Sequence, residues 1–206
     1  GEKPVRTLSI EAIRERLQII HQHGIKNVRV LDRTFNYNTR RAKELLELFL
    51  EYHPDIRFHL EIHPALLSEE LKEELKHLPE GLLHLEAGIQ SLREPVLEKS
   101  RRMGKLTDAL EGLKFLCSLP NMETHADLIA GLPLYHLAEI FKDIRVLAAY
   151  GAGEIQLESL KLLPGTEMRR RAEELGIQYS PLPPYEVLQT REINVSELQT
   201  ARQLSR

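Results

Sequence analysis

The sequence has 206 residues, of which 42% are hydrophobic and 29% are charged, and its formal net charge is −3. These values are typical of one soluble globular domain, and the weak negative charge argues against binding to nucleic acid or to an anionic membrane. No apolar run approaches the ~20 residues that a membrane span needs. The single cysteine, Cys117, excludes an intrachain disulfide and favours a reducing compartment, which predicts a cytoplasmic protein.

Helical and strand-like segments alternate along most of the chain. In order, the pattern predicts a helix at 9–23, a strand at 27–32, a helix at 39–52, a strand at 56–62, a helix at 68–77, a strand at 83–90, helices at 93–102 and 107–118, a strand at 123–132, a helix at 137–150, a strand at 154–162 and a helix at 167–175. Strands separated by helices indicate parallel βαβ units. The Pro-rich stretch 179–190 is predicted to be an extended connector, followed by a helix near 195–204. We therefore predict a main unit at 1–178 and a C-terminal appendage at 179–206.

Four of the predicted strands alternate apolar and polar side chains. Their polar positions are Arg57, His59, Glu61, His84, Glu86, Gln90, His125, Asp127, Glu154, Gln156 and Glu158. A sheet covered by helices on both faces would have nearly continuous apolar strands, and unpaired charges against helices would cost several kcal/mol each. A barrel removes this conflict, because its inner face can be polar while its outer face meets helices. The predicted fold is an α/β, partial (βα) TIM-like barrel of about five to six units.

The polar face leaves several functional interpretations open. The charges could form ion pairs that serve only the structure. An ordinary barrel lyase or hydrolase could use His59, Glu61, His84 and Asp127 as acid and base at the strand ends, where barrel enzymes carry their chemistry. A binding module could instead hold a nucleotide-like ligand. No residue type or spacing in the sequence names a substrate, which could be a small molecule.

Four ordered motifs carry a family resemblance that extends from Val5 to about Leu188. They are "LDRTFNY", "GIQSLREPVLEKSRR", "HADLIAGLP" and "LKLLPGTEM". Together they resemble the radical S-adenosylmethionine (radical SAM) enzymes, in the branch of oxygen-independent coproporphyrinogen III oxidase, Elp3-like cores and cobalamin-binding radical SAM proteins. The resemblance implies S-adenosylmethionine and a [4Fe–4S] cluster as cofactors, with cobalamin in the last subgroup. It implies reductive cleavage of S-adenosylmethionine to a deoxyadenosyl radical, or methyl transfer with cobalamin.

The resemblance also implies which residues contact the cofactor. Glu61 matches an acidic residue associated with cofactor binding, and Gln90 and Asp127 match residues near the ribose. Arg102 matches an arginine near the methionine carboxylate. The segment 32–34, which ends in Thr34, takes the place of a Gly-Gly-Glu motif whose backbone holds the methionine amino group. Because side chains replace those glycines here, only the backbone role of this segment is implied.

The sequence departs from the family in one respect. The family's cluster is bound by a Cys-x3-Cys-x2-Cys loop after the first strand, and this chain has no such loop. We expect a radical SAM core without its first strand and cluster loop, or alternatively a naturally cluster-less relative, and in either case no radical chemistry by these residues alone. Absence of the first strand would leave 27–32 as an open edge, so we expect self-association, or cover from the 9–23 helix or the C-terminal tail.

Overall fold

A computed structural model describes residues 7–32, 34–102 and 104–204. Five parallel strands form one sheet in the order of the sequence, and the sheet curls into a half-barrel. The strands are β1 (Asn27–Arg29), β2 (Arg57–Ile62), β3 (Leu83–Gln90), β4 (Glu123–Ala130) and β5 (Glu154–Ser159). The prediction of an α/β partial TIM-like barrel is confirmed. The first predicted strand is shorter than expected, since β1 ends at Arg29.

Helices connect the strands on the convex side. They are α1 (Ile10–Gln22), α2 (Thr39–Leu50), α3 (Glu69–His77), α4 (Glu94–Lys99), α5 (Leu106–Cys117), α6 (Leu137–Ala149), α7 (Glu167–Arg170), α8 (Ala172–Leu175) and α9 (Val195–Leu204), with short 3-10 helices at Phe35–Tyr37 and Pro64–Leu66. Ser9, Asn38 and Ser68 accept a backbone N–H with their side chains and so cap α1, α2 and α3. The single helix predicted at 167–175 is instead two short helices that meet at Arg171.

The hydrophobic core lies between the convex face of the sheet and the helices. Apolar residues that alternate along the strands, such as Phe58, Leu85 and Ala126, are completely buried there. The ring of Phe49 on α2 stacks on Phe58 with centroids 4.0 Å apart, which fixes this helix against β2. The polar residues of the same strands therefore lie on the opposite, concave face.

The C-terminal segment packs on the far edge of the sheet. Within the predicted connector, β6 (Gln178–Tyr179) and β7 (Val187–Gln189) pair antiparallel, so part of it is a hairpin rather than a simple extended chain. The last helix, α9, lies against β5 and buries Leu198 and Ala201 in the core. This tail is therefore at the edge opposite β1 and does not cover the 27–32 segment. The division of the chain at residue 178 stays a prediction.

Of the described helices, none combines the length and the apolar character that crossing a bilayer demands.

Candidate functional site

A polar pocket opens on the concave face near the carboxyl ends of the strands. It has a volume of about 90 Å³ and is lined by Thr34, Glu61, Ile62, His63, Glu86, Gly88, Gln90, Arg102 and Asp127. Active sites of (βα) barrels occupy this end of the strands, where the strand-to-helix loops meet. The volume corresponds to about three water molecules in the liquid. The pocket can therefore hold a polar group such as a diol or an amino-acid head, but not a whole nucleoside.

A second cleft lies beside the 3-10 helix at Phe35–Tyr37. It has a volume of about 190 Å³ and shares Thr34 with the polar pocket. Phe35, Asn38 and Arg41 contribute to its wall. Thr34 therefore borders both cavities.

Asn36 fixes the two loops that bound the pocket at β1 and β2. Its side chain is 1% exposed; it accepts the His63 N–H at 2.8 Å and donates to the His63 carbonyl at 2.9 Å. This two-point clip joins the Thr34 loop to the end of β2. The sequence analysis missed both Asn36 and His63, because the partner of the asparagine is a backbone group 27 residues away.

Gln90 and Gly88 shape the β3 side of the pocket. Gln90 has a φ of +72°, a left-handed conformation that is uncommon for a residue with a side chain and that clusters at functional sites. It follows a β-bulge between β3 and β4. A Cβ on Gly88 would lie 2.7 Å from Gln90 Nε2 and 3.1 Å from a guanidinium nitrogen of Arg102. Only glycine therefore lets these two side chains reach the pocket together.

Arg102 enters the pocket from the segment after α4. Its Nη2 donates to the carbonyl of Gly88 at 2.9 Å. The adjacent Arg101 points elsewhere and forms an ion pair with Glu167 at 2.6 Å. The two neighbouring arginines are thus divided between a pocket role and a surface role.

Two carboxyl groups of the pocket have divergent pKa values. Burial, together with the charge of Glu86, raises the pKa of Asp127 to about 8. Burial would also raise the pKa of Glu86, but the hydrogen bond from His59 and the charge of Arg29 outweigh it and hold that pKa below its usual range. Near neutral pH the pair therefore carries mainly one negative charge, on Glu86, while Asp127 holds a proton.

Three imidazoles lie directly below the pocket, towards the amino ends of the strands. His59, His84 and His125, here called the imidazole layer, have ring centroids between 4.5 and 5.6 Å apart. His59 Nε2 lies 2.6 Å from Glu86 Oε2, and His84 Nε2 lies 2.9 Å from His125 Nδ1. Burial lowers the pKa of both His84 and His125. His84 and His125 are thus biased towards the neutral imidazole.

A buried carboxylate on α6 holds the loop that follows Gln90. Asp143 is completely buried and accepts the Leu92 N–H at 2.8 Å and the Tyr135 hydroxyl at 2.8 Å. It also pairs with Arg93 at 2.6 Å. This cluster fixes the turn between β3 and α4, and with it the position of Gln90.

The residues assigned to the cofactor from the sequence all line one pocket. These residues are Thr34, Glu61, Gln90, Arg102 and Asp127. Their convergence is a geometric finding, whereas their cofactor contacts stay a prediction. Arg33, within the segment 32–34 that takes the place of the Gly-Gly-Glu motif, lies outside the described residues. The polar residues of β5 share the concave face, but Glu154, Gln156 and Glu158 do not line the pocket.

Comparison with known proteins identifies the family. The model of the Radical SAM superfamily matches residues 1–147 of this chain. The chain belongs to the radical SAM superfamily. Its sequence matches none of the curated proteins. Family membership supports an enzyme that uses S-adenosylmethionine and a [4Fe–4S] cluster.

Solved structures share this radical SAM fold at low sequence identity. The methyltransferase TsrM from Kitasatospora setae, with cobalamin and a [4Fe-4S] cluster bound, aligns with a TM-score of 0.69 and 19% identity over 95% of this chain and 41% of its own. Elp3 from Methanocaldococcus infernus aligns with a TM-score of 0.55 and 15% identity, over 78% of this chain and 44% of its own. Coproporphyrinogen III oxidase (HemN) from Escherichia coli aligns with a TM-score of 0.51 and 17% identity, over 68% of this chain and 38% of its own. The chain thus spans less than half of each of these chains.

The two cofactors of the family fit this chain differently. The pocket suits part of S-adenosylmethionine, because among the described residues Gln90 Oε1 and Asp127 Oδ1 are buried without a hydrogen-bond partner. A [4Fe–4S] cluster does not fit, because it needs several thiolates and Cys117 is the one cysteine in the sequence.

Proposed function

We propose that this chain is the S-adenosylmethionine-binding core of a radical SAM enzyme. The observation that carries the proposal is the convergence of Glu61, Gln90, Arg102 and Asp127 on one pocket at the carboxyl ends of parallel strands. The chemical types suit the ligand. Carboxyl and amide groups can hold ribose hydroxyls, and a guanidinium can pair with a carboxylate.

Each pocket residue has a distinct part in this proposal. Gln90 Oε1 and Asp127 Oδ1, both buried, accept hydroxyl protons of the ribose. Arg102, held by the Gly88 carbonyl, takes the methionine carboxylate. The backbone at Thr34 leads the remainder of the ligand into the 190 Å³ cleft. The protein groups bind and orient the cofactor, which supplies the reactive adenosyl or methyl group when it is bound.

We also propose that these 206 residues do not catalyse the radical reaction unaided. Their single thiol, Cys117, is half-buried on α5 and is not among the residues that line the pocket. The cluster would have to be bound by residues outside this sequence. Use of cobalamin is a proposal that rests on the branch resemblance and on the likeness to TsrM. Cytoplasmic location likewise rests on the single cysteine.

The experiment is an NMR titration of the ¹⁵N-labelled chain with S-adenosylmethionine. Because each hydrogen bond contributes only ~1 kcal/mol net, we expect weak saturable binding with Kd on the order of millimolar. The shift changes should concentrate at the ends of β2 and β3 and around Asp127. Gln90→Ala should weaken binding by roughly 5- to 10-fold through the loss of one such bond.

Gln156→Ala is the matched control, because Gln156 shares the concave face but does not line the pocket. It should leave the titration unchanged. Shift changes confined to other surfaces, or equal effects of the two glutamine variants, would overturn the proposal. Separate titrations with adenosine and with methionine show which end of the ligand occupies the 90 Å³ pocket.

A further inference from the structure

Three ligating side chains meet between the imidazole layer and the polar pocket. Glu86, His125 and Asp127 each direct one ligand atom to a common point, and these atoms all lie within 4.8 Å of one another. His125 Nε2 is 3.8 Å from Glu86 Oε2 and 3.5 Å from Asp127 Oδ1. His125 is 6% exposed, so the group forms the closed floor of the lumen.

These separations suit two ligands of one ion better than a hydrogen bond. Zinc binds imidazole nitrogen and carboxylate oxygen at about 2.0–2.2 Å, so neighbouring ligand atoms of a tetrahedral site are about 3.3–3.6 Å apart. The 3.5 Å between His125 and Asp127 lies in this interval, and the 3.8 Å between His125 and Glu86 is just beyond it. A direct hydrogen bond would be shorter, at about 2.7–3.2 Å.

In the part of the chain that the structure describes, two of the three atoms that face this point lack a hydrogen-bond partner, whereas Glu86 Oε2 already accepts from His59 and from the guanidinium of Arg29. Among the described residues, His125 Nε2 and Asp127 Oδ1 are both buried without a hydrogen bond. Most buried polar atoms in proteins have a hydrogen-bond partner, so two neighbouring buried atoms without one need an explanation. A cation between them would satisfy both at once.

Contacts with the other two imidazoles orient two of the ligands. His84 Nε2 lies 2.9 Å from His125 Nδ1, and His59 Nε2 lies 2.6 Å from Glu86 Oε2. Metal-binding histidines usually donate their other ring N–H to an acceptor, and metal-binding carboxylates are themselves hydrogen-bonded. His84 Nδ1 lies 3.3 Å from Glu123 Oε2 and 3.2 Å from the donor Nη2 of Arg57. An ion on His125 Nε2 requires the tautomer in which His125 Nδ1–H donates to His84 Nε2 and His84 Nδ1–H donates to Glu123. That tautomer leaves the Nε2 lone pair of His125 free for an ion.

We propose that Glu86, His125 and Asp127 form a binding site for a zinc-like divalent transition metal, oriented by His59 and His84. Zinc binds both imidazole nitrogen and carboxylate oxygen, and its open sites have three protein ligands. Magnesium and calcium prefer oxygen donors alone. Glu86 and Asp127 also line the polar pocket. The open fourth position of the ion therefore faces the place where a ligand binds. The site is separate from the thiolate-bound cluster of the family. It shares Asp127 with the proposed ribose contact, so the metal and the ribose hydroxyl would meet at one carboxyl group.

The test is titration of the purified chain with zinc by calorimetry, and with cobalt by visible absorption. We expect one equivalent of each metal, with cobalt giving the ligand-field bands of a four-coordinate site. His125→Gln should weaken zinc binding by at least ~100-fold, and His84→Gln by about 10- to 100-fold as an orienting residue. Zinc should also change the side-chain ¹⁵N shifts of His125 to those of the Nδ1–H tautomer, which is a readout independent of activity.

His77→Gln is the matched control, because His77 lies on the exposed surface of α3 with its side chain 74% accessible. It should leave the stoichiometry and affinity unchanged. Circular dichroism checks that each variant is folded, and Asp127→Asn provides a second ligand variant if His125→Gln unfolds. Absence of stoichiometric zinc binding, or binding that persists in both ligand variants, would overturn the proposal. Glu61→Ala should weaken S-adenosylmethionine without affecting zinc, so the two sites can fail separately.

Discussion

The guanidinium of Arg93 donates a hydrogen bond of 2.6 Å to the carboxylate of Asp143. This carboxylate has no solvent exposure. Asp143 also satisfies the Leu92 N–H and the Tyr135 hydroxyl. Removal of one member of a buried pair leaves the others uncompensated and costs about 3–5 kcal/mol. We therefore expect Asp143→Ala to lower the free energy of unfolding by about 3 kcal/mol or more in urea denaturation.

The same substitution at Asp108 is the control, because Asp108 is an exposed carboxylate on α5. It should change stability by less than about 1 kcal/mol. Equal effects of the two variants would show that the Asp143 cluster contributes little.

Gly88 leaves room for the side chains of Gln90 and Arg102 in the polar pocket. An alanine Cβ at this position would lie 2.7 Å from Gln90 Nε2 and 3.1 Å from an Arg102 nitrogen. Both are ends of flexible side chains, so we expect Gly88→Ala to fold normally but to displace these groups. The NMR titration should then show S-adenosylmethionine binding weakened by at least ~10-fold, because two polar contacts are disturbed.

Gly153→Ala is the matched control, since its Cβ would meet only the Thr124 carbonyl at an ordinary 3.5 Å. This variant should bind like the parent. If Gly88→Ala also binds like the parent, Gln90 and Arg102 do not contact the ligand in the way proposed.

Replacement of Gly112 on α5 by alanine should lower the stability of the chain, although the same change in most helices raises it. Alanine in place of a helical glycine normally adds up to ~1 kcal/mol of stability. Here the new Cβ would lie 2.1 Å from the carbonyl oxygen of Pro64, and a backbone atom cannot rotate away. We expect Gly112→Ala to lower the midpoint of urea unfolding. A raised midpoint would mean that α5 and the Pro64–Leu66 turn do not pack this closely.

The regular elements could be predicted because each depends on local pattern. Ser9 and Ser68 mark helix starts in the sequence and cap α1 and α3 in the structure. The alternation through Glu61 and Asp127 likewise indicated a polar concave face. The period of two is visible in the sequence because one face of each strand is buried and the other is polar.

The loops that complete the site could not be predicted in the same way. Asn36 finds its partner in the backbone at His63, and Asp143 finds Leu92 and Arg93 about 50 residues away. Neither interaction leaves a periodic trace. The helix predicted at 167–175 was wrong at Arg171, where the backbone leaves the helical conformation between two short helices.

Cys117 should be a poor nucleophile. It is half-buried on α5, and burial raises the pKa of its thiol. Because the thiolate is the reactive form, a raised pKa reduces the reactive fraction at about pH 8. We expect iodoacetamide to alkylate the folded chain at least ~10-fold more slowly than the urea-unfolded chain, as followed by intact-mass spectrometry. Equal rates would place this thiol in water.

The edge at β1 predicts self-association of the 206-residue chain. Among the described strands β1 pairs only with β2, and the Val30 N–H donates to His59 at 3.0 Å. In a parallel pair the alternate amides point away from the partner strand, so those of Asn27 and Arg29 face the open edge. A largely apolar groove of about 490 Å³ remains between α1, α2 and β1, which shows that α1 covers this edge incompletely.

Leu31, 90% exposed beside that edge, gives the means to test it. We expect sedimentation velocity to show a dimer at high protein concentration. Leu31→Lys should weaken this dimer by at least ~10-fold, because a lysine on an edge must be desolvated when a second strand pairs there. Leu182→Lys, at a leucine that is 69% exposed in the Pro-rich segment, is the control and should leave the dimer intact. A chain that stays monomeric at all concentrations, or a dimer that loses affinity equally in both variants, would rule out association through β1.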